Sequence, residues 1–403
     1  MNYHLERFSQ GEPVDVCVVG GAGHVGLPLA ILLADHGLNV LAIDLNDKAI
    51  NTISQGKMPF LEKGAEPILQ RVLAEGRLAL TTDPCWLQRS KAVLITIGTP
   101  VDEFLNPDFK CFRLWVEENI RYLTDDQTLI LRSTVYPGTT DWLHGYLASH
   151  GKNVGLAYCP ERIVQGYAIE ELQRLPQIIS GTTPKAAAEA RRLFGLFAPS
   201  IVEMQPMEAE FSKLFANVYR YIQFAVANQF YMIAHSAGVN YNRVLEGMKR
   251  DYPRLAGLPT AGFAAGPCLF KDTMQLAAFS QNQFHLGHAA MLVNEGLVLY
   301  LVNQMKSENR LAEMTVGLLG MAFKSDNDDI RSSLSYKLKK VLQIHCRAVL
   351  TTDPYVTVDP DLRPLDEVLD RSGLLVLCVP HSNYRGLDLR GKPVLDVWGF
   401  FGL

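Results

Sequence analysis

The chain has 403 residues, which at roughly 150 residues per domain points to two or three domains, each with enough apolar sequence to bury a core. Its composition is ordinary for a globular protein, with 48% hydrophobic and 20% charged residues, and this excludes a disordered, collagenous or coiled-coil architecture. Lys+Arg 38 against Asp+Glu 42 leaves a formal charge of -4 with no basic block, so neither nucleic acid nor a membrane surface is expected as a partner.

In chain order, the first half alternates β-rich runs with helical patterns, the signature of βαβ units and a parallel sheet. Strands are predicted at 14–19, 39–43, 92–97, 128–133, 154–158, 176–180 and 200–204, and helices at 27–36, 47–55 and 184–197. From 207 to 249 no Pro and only two Gly interrupt the chain, and apolar positions recur at helical spacing. This predicts a long helix or a helix pair, with Ala209, Leu214, Val218, Ile222, Ala225 and Phe230 on one apolar face. Helical runs are predicted again from Lys271 and over 283–307. A second α/β pattern follows, with strands at 315–319, 348–352, 374–379 and 393–397 and a helix at 333–345. The fold class expected is α/β: two Rossmann-like parallel-sheet domains joined by a central helical region that dimerises. The expected division is 1–205, 206–308 and 309–403.

Seven cysteines, odd in number, scattered and never spaced C-x-x-C, make neither a disulfide framework nor a zinc knuckle and fit a reducing compartment. Residues 1–15 lack the basic and apolar regions of a signal peptide. The stretch 16–34 carries no charge, but its four glycines, His24 and Pro28 make it a poor spanning helix. A cytoplasmic location is expected.

Gly21-Ala22-Gly23-His24-Val25-Gly26 satisfies G-x-G-x-x-G directly after a predicted strand and at the opening of a helix. In that context Gly21 permits the tight turn, Gly23 lets backbone amides reach a pyrophosphate, and Gly26 allows close packing of helix on strand. Asp44 ends the next strand, where a carboxylate binds a ribose 2′-hydroxyl and repels a 2′-phosphate, so NAD is favoured over NADP. His24 and Val25 are counted with the cofactor-binding residues because they lie inside the motif, although His24 alone reads as a partly exposed loop residue.

The segment from Gly262 to Asp272, GFAAGPCLFKD, sets Cys268 behind small residues and ahead of a Lys-Asp pair. That leaves room for a substrate carbon, with a cation favouring thiolate and a carboxylate to handle protons. The other six cysteines read as structural. Glu210, Lys213 and Asn217 fall at i, i+3 and i+7, so Lys213 and Asn217 share a helical face; on composition alone the three read as a solvated stripe or a cap. His285 and His288, at i and i+3 without carboxylate neighbours, read as helix-surface or core residues, and no metal is expected.

With these residues in place, the chain resembles the UDP-glucose/GDP-mannose dehydrogenases, which are nucleotide-sugar 6-dehydrogenases. The likeness is carried by Gly21 to Gly26; Thr99-Pro100; Ser133-Thr134-Val135-Tyr136-Pro137-Gly138-Thr139-Thr140; Cys159-Pro160-Glu161-Arg162; Lys213 to Asn217; Cys268 to Asp272; Phe323-Lys324; Asp329-Ile330-Arg331-Ser332; and Asp353-Pro354. The resemblance implies a four-electron oxidation of the sugar C6 alcohol to a carboxylate at the expense of two NAD+. It further implies Lys213 and Asn217 as the groups serving the first oxidation, Cys268 as the nucleophile, and Glu161 and Asp272 as carboxylates that direct water. Thr99 and Thr134 are implied in the cofactor cleft, Arg162 and Lys324 in substrate binding, and Arg331 toward cofactor or nucleotide.

The family's glycine-rich lead, G-P-G-x-G-G-x-C, is thinned here to Gly266-Pro267-Cys268, with Phe263, Ala264 and Ala265 nearby. The chain also runs to Leu403 soon after its last predicted strand, with no regulatory tail expected. Gly26-Leu27-Pro28-Leu29-Ala30 and Cys159-Pro160-Glu161-Arg162-Ile163 are similar to members that oxidise UDP-N-acetylmannosamine or UDP-N-acetylglucosamine, so a UDP-N-acetylhexosamine is the expected substrate, with UDP-glucose and GDP-mannose the alternatives. Rival readings are a two-electron dehydrogenase of the β-hydroxyacid or 6-phosphogluconate type, which has no use for Cys268, and a catalytically silent nucleotide-binding protein.

Overall fold

The computed structural model describes residues 2–106, 108 and 110–402; the outermost limits of the expected division, 1 and 403, lie outside them. The described chain forms two compact units, 1–215 and 216–403.

The first unit is built on a seven-stranded sheet of β1 (Asn2–Tyr3), β2 (Val14–Val19), β3 (Val40–Ile43), β4 (Leu78–Thr81), β5 (Ser90–Ile95), β6 (Thr128–Leu131) and β7 (Gly155–Tyr158), in the order β1-β4-β3-β2-β5-β6-β7. All neighbours are parallel except β1, which pairs antiparallel with β4 at the edge. The chain order reverses at β2, so the loop after β2 opens at the topological switch point, where such sheets bind ligands. The strands are buried on both faces, which is why they read as continuous apolar runs, and helices such as Gly26–Asp35 and Pro184–Phe194 cover them. Two further strands, β8 (Gln177–Ile179) and β9 (Ile201–Glu203), pair in a small sheet of their own.

The helix Pro206–Ser236 begins in the first unit and continues in the second. A second helix, Tyr241–Lys249, follows after Gly238 at φ +70°, so the 207–249 run is a helix pair broken where an L side chain is strained. Leu214, Val218, Tyr221, Ala225, Asn228 and Tyr231 are buried. Phe230 departs from the predicted apolar face and is 42% exposed, because five residues beyond Ala225 is well off a 3.6-residue stripe. The helices Leu269–Phe279 and His285–Glu308 complete the central part. The latter is long and apolar enough to cross a membrane by length and composition alone, and 39% of that window is buried inside the protein.

The second sheet comprises β10 (Thr315–Leu319), β11 (Ala348–Thr352), β12 (Leu374–Leu377) and β13 (Val394–Leu395), all parallel in the order β11-β10-β12-β13. As at β2 in the first sheet, the order turns around the first parallel strand, here β10. Both sheets therefore present the loop after that strand, residues 20–26 in one and 320–333 in the other, as the structurally distinguished position.

Candidate active site

The glycine motif is tested by what a side chain would meet. A Cβ on Gly21 would lie 2.7 Å from both the Ala42 Cβ and the Val18 carbonyl oxygen, and one on Gly26 only 2.3 Å from the Gly20 oxygen. Both positions are closed to any side chain. On Gly23 a Cβ would meet only the Gly20 oxygen, at 3.3 Å, a tight contact that a small shift relieves, so packing demands this glycine far less than the other two and its place fits close approach of a ligand to the backbone. Thr96 Oγ1 ties the turn by donating to the carbonyls of Val19 (2.7 Å) and Gly20 (3.1 Å). Asp44 is aimed by two amides: Oδ2 accepts from Ala22 at 3.0 Å and Oδ1 from Asn46 at 2.9 Å. The glycine turn and a partly exposed carboxylate thus sit together at the switch point, an arrangement that fits a dinucleotide. His24, in the same loop, stacks on Phe60 with ring centroids 4.0 Å apart. In the loops after β5 and β6, Thr99 Oγ1 donates to the Thr134 carbonyl, joining two residues expected in the cofactor cleft.

Glu161 follows β7 and is buried. Its Oε1 accepts from the amides of Arg162 (2.6 Å) and Ile163 (2.9 Å), and its Oε2 pairs with Arg132. Arg132, which has no exposure, also donates to the Cys159 carbonyl (3.1 Å) and Gln177 Oε1 (2.9 Å), and its guanidinium lies 4.7 Å from the centre of the Phe194 ring. A carboxylate has about four lone-pair directions; three are taken here, which leaves one for a water. Removing one partner of a pair this buried costs about 3–5 kcal/mol. Arg132 stands immediately before the Ser133 to Thr140 block and has no role in the sequence reading. Its signal was an arginine directly after an apolar strand, which needs a partner to be buried at all.

Glu210 is neither solvated nor part of a stripe with Lys213. It is buried, and it accepts from the amides of Gly138 (2.6 Å) and Thr140 (2.9 Å) and from Thr140 Oγ1 (2.6 Å), capping the helix Thr139–Ser149 from outside it. Burial pushes its carboxyl above the ordinary range, and the bonds from Thr140 and Gly138 oppose this. Lys213 lies one turn further along and is half-buried.

In the second unit, Cys268 is exposed and occupies the N-cap of Leu269–Phe279. Asp272, four residues on, has no exposure; its amide donates to the Cys268 carbonyl at 2.9 Å. Its Oδ2 accepts from Asn217 Nδ2 at 2.6 Å and its Oδ1 pairs with Lys271 Nζ at 2.7 Å. Asn217, Lys271 and Asp272 therefore form one largely buried polar group next to the cysteine, and Lys271 is the cation of the Lys-Asp pair that the sequence sets behind Cys268. Other thiols are held inert by burial, with Cys17 and Cys159 each pushed up to about 12. Cys378 is shifted the same way by the same cause.

The thinned glycine lead has a steric explanation. At Gly262 (φ +154°) and Gly266 (φ +102°) a Cβ would strike an aromatic ring, Trp398 at 2.4 Å and Phe323 at 2.5 Å. The loop is also tied by the Gly262 amide to Asn228 Oδ1 (2.8 Å), in a buried network with Asn294, and by the Gly266 amide to the Ser332 carbonyl (3.2 Å). Arg331 grips Asp329 at 2.6–3.0 Å, and that bond raises its guanidinium above the usual range, with a smaller contribution from the charge of Cys268.

Comparison with known proteins agrees with this arrangement. The chain matches the UDP-glucose/GDP-mannose dehydrogenase family in its NAD binding domain over residues 14–198, its central domain over 207–296 and its UDP binding domain over 317–402. It is 28% identical to an NDP-N-acetyl-D-galactosaminuronic acid dehydrogenase of Ralstonia nicotianae, with 95% of each chain covered. It is likewise 28% identical to a UDP-N-acetyl-D-mannosamine dehydrogenase of Pyrococcus horikoshii, with 93% of each covered. Among solved structures, a UDP-D-ManNAc dehydrogenase from Pyrococcus horikoshii superposes with a TM-score of 0.87 at 27% identity, covering 95% of this chain and 94% of that one. A UDP-glucose dehydrogenase from Pyrobaculum islandicum gives 0.87 at 26% identity, covering 96% and 94%. The chain belongs to the UDP-glucose/GDP-mannose dehydrogenase family and is an NAD-dependent oxidoreductase of nucleotide sugars.

Proposed function

We propose that the protein oxidises C6 of a UDP-N-acetylhexosamine from alcohol to carboxylate, with Cys268 carrying the intermediate. The observation that carries the reading is the exposed Cys268 at a helix N-cap, beside a largely buried Asn217–Asp272–Lys271 group, in a chain that also carries a complete dinucleotide turn. NAD+, when bound, supplies the oxidising power, taking up one hydride in each of the two oxidations. Lys213 and Asn217, with a water, accept the hydroxyl proton and stabilise the developing oxyanion. The Cys268 thiolate adds to the aldehyde carbon, and the oxygen takes a proton, giving a thiohemiacetal. Loss of the second hydride from carbon, with the hydroxyl proton passed to the water held by Lys213 and Asn217, leaves a thioester. Asp272 and the remaining lone pair of Glu161 direct water to that carbonyl; the C–S bond breaks, sulfur regains its proton and the sugar leaves as carboxylate.

Gly21, Gly23, His24, Val25, Gly26, Asp44, Thr99, Thr134 and Arg331 are assigned to the cofactor, and Glu161, Arg162, Lys213 and Lys324 to the substrate. The division 1–205, 206–308 and 309–403 is retained as the functional one. A homodimer through the Pro206–Ser236 helix is supported by its exposed stripe of Phe215, Tyr219, Val226, Phe230 and Ile233, and a cytoplasmic location by the free thiols.

NADH released per sugar across a panel of UDP- and GDP-sugars tests the reading. Two per UDP-N-acetylhexosamine is expected; one indicates a two-electron dehydrogenase, none a silent binder, and a preference for UDP-glucose moves the substrate. Cys268→Ser is expected to keep NAD+ binding and lose steady turnover, and full two-NADH stoichiometry in that variant sinks the thioester route.

A further inference from the structure

Two buried side chains underpin the turn that leaves β10. Asp353 follows β11, and its carboxylate has no exposure. Its Oδ2 accepts from the amides of Met321 (2.6 Å) and Ala322 (2.9 Å), and its Oδ1 from those of Tyr355 (2.8 Å) and Val356 (3.1 Å). His381, beyond β12, is equally buried, with Nε2 3.0 Å from Asp353 Oδ2 and Nδ1 2.9 Å from the Asp326 amide. An amide can only donate, so Nδ1 is the acceptor and the proton sits on Nε2, which donates to Asp353.

Asp326 is itself held at φ +52°, outside the usual range for an L residue. Its Oδ1 accepts from the Ser382 amide (2.8 Å) and hydroxyl (2.9 Å). The turn is thus pinned at 321–322 by Asp353 and at 326 by His381 and Ser382, with Lys324 midway between the pinned ends. None of these groups has a place in the oxidation itself.

We propose that Asp353 and His381 are positioning residues that fix the 321–326 turn so that Lys324 is presented to the diphosphate sugar of the substrate. The inference rests on the reading of Lys324 as a substrate lysine. A turn held this way is ready before the ligand arrives, so binding need not order it.

Substitutions at His381 in the full-length protein separate the two bonds. His381→Asn keeps an acceptor near Nδ1 and loses the donor to Asp353, His381→Gln keeps the donor and loses the acceptor, and His381→Ala loses both. Titration with UDP and, separately, with NAD+ gives the readout, together with steady-state constants and hydrogen exchange. For His381→Ala, UDP affinity is expected to fall about tenfold and the sugar KM to rise in parallel. NAD+ affinity stays unchanged, kcat moves by less than about threefold, and amides 321–326 exchange faster while those of 14–43 do not. The Asn and Gln variants fall between wild type and Ala.

UDP affinity unchanged in His381→Ala overturns the inference, as does an equal loss of UDP and NAD+ affinity, which marks a structural role only. A wild-type chain that binds UDP but releases no NADH with any sugar overturns the oxidation and leaves the UDP titration a valid test here. A wild-type chain that does not bind UDP overturns both.

Discussion

The two parallel sheets place a carboxylate at the same topological position and use it oppositely. Asp44 follows β3 and Asp353 follows β11, each on the strand beside the first parallel strand of its sheet, β2 or β10. Asp44 is partly exposed and accepts two amides, Ala22 from the neighbouring loop and Asn46 from its own, so it keeps lone pairs for a ribose. Asp353 accepts four amides and faces His381, with no exposure, and has nothing left for a ligand. The loop beside Asp44 has glycine at positions 20, 21, 23 and 26, which leaves its backbone accessible; the loop beside Asp353 gives the amides of Met321, Ala322 and Asp326 to Asp353 and His381. On the assignments proposed above, one architecture reads its ligand through main chain in the first sheet and through side chains in the second.

The strongest way to break this contrast is Asp353→Asn. Its amide sets a donor against backbone donors, and each buried group left unpaired costs about 1–3 kcal/mol, so urea unfolding of the second unit is expected to shift by several kcal/mol, whereas Asp44→Asn leaves unfolding within about 0.5 kcal/mol. Equal shifts in the two variants would erase the distinction. Next in size, Gly26→Ala is expected to lower NAD+ affinity at least about tenfold, because its Cβ must displace the Gly20 carbonyl. Gly23→Ala, free of protein contacts nearer than 3.3 Å, loses NAD+ affinity without loss of melting temperature, and a fall in stability equal to that of Gly26→Ala would show that both glycines serve packing.

A smaller effect is expected of Asp44→Ser, which narrows the preference for NAD+ over NADP+ by about tenfold, or ~1.4 kcal/mol; competitive titration checks it. The smallest is a pH dependence. Burial alone would raise Asp353, but His381 and the amides of Ala322 and Met321 outweigh it and hold the carboxyl below its ordinary range. A lowered folded-state value gives stability that is whole above about pH 4 and is lost as pH falls through that value. The stability gap between wild type and Asp353→Asn should therefore shrink below about pH 4, and a gap that widens there would contradict the ionised, amide-bound carboxylate.

Most of what organises the molecule was legible locally. The strands 315–319 and 348–352 carry the predicted bounds, since buried parallel strands are unbroken apolar runs. The glycine turn, Asp44 and Cys268 lie in short motifs whose chemistry is written within a few residues. The helix Ala65–Ala74 escaped pattern reading because Pro67 looks like a breaker, although in a first turn it costs no hydrogen bond. The strand Asn2–Tyr3 is too short to show any period. The pairs Arg132–Glu161, Glu210–Thr140 and Asp353–His381 join residues 29, 70 and 28 positions apart. Nothing in either partner's neighbourhood announces the other, so charge at a strand end signals that a partner exists without saying which.

The carboxylate of Glu210 bears on how such proteins can be recombined. A junction at the boundary between the first and second family domains, between residues 198 and 207, would take Glu210 from one parent and the Gly138 and Thr140 amides it caps from another. A chimera cut there stays sound only where the donor helix supplies a carboxylate at the same turn. Cutting inside the Pro206–Ser236 helix, after residue 215, keeps the cap with its own helix and makes the more portable cassette.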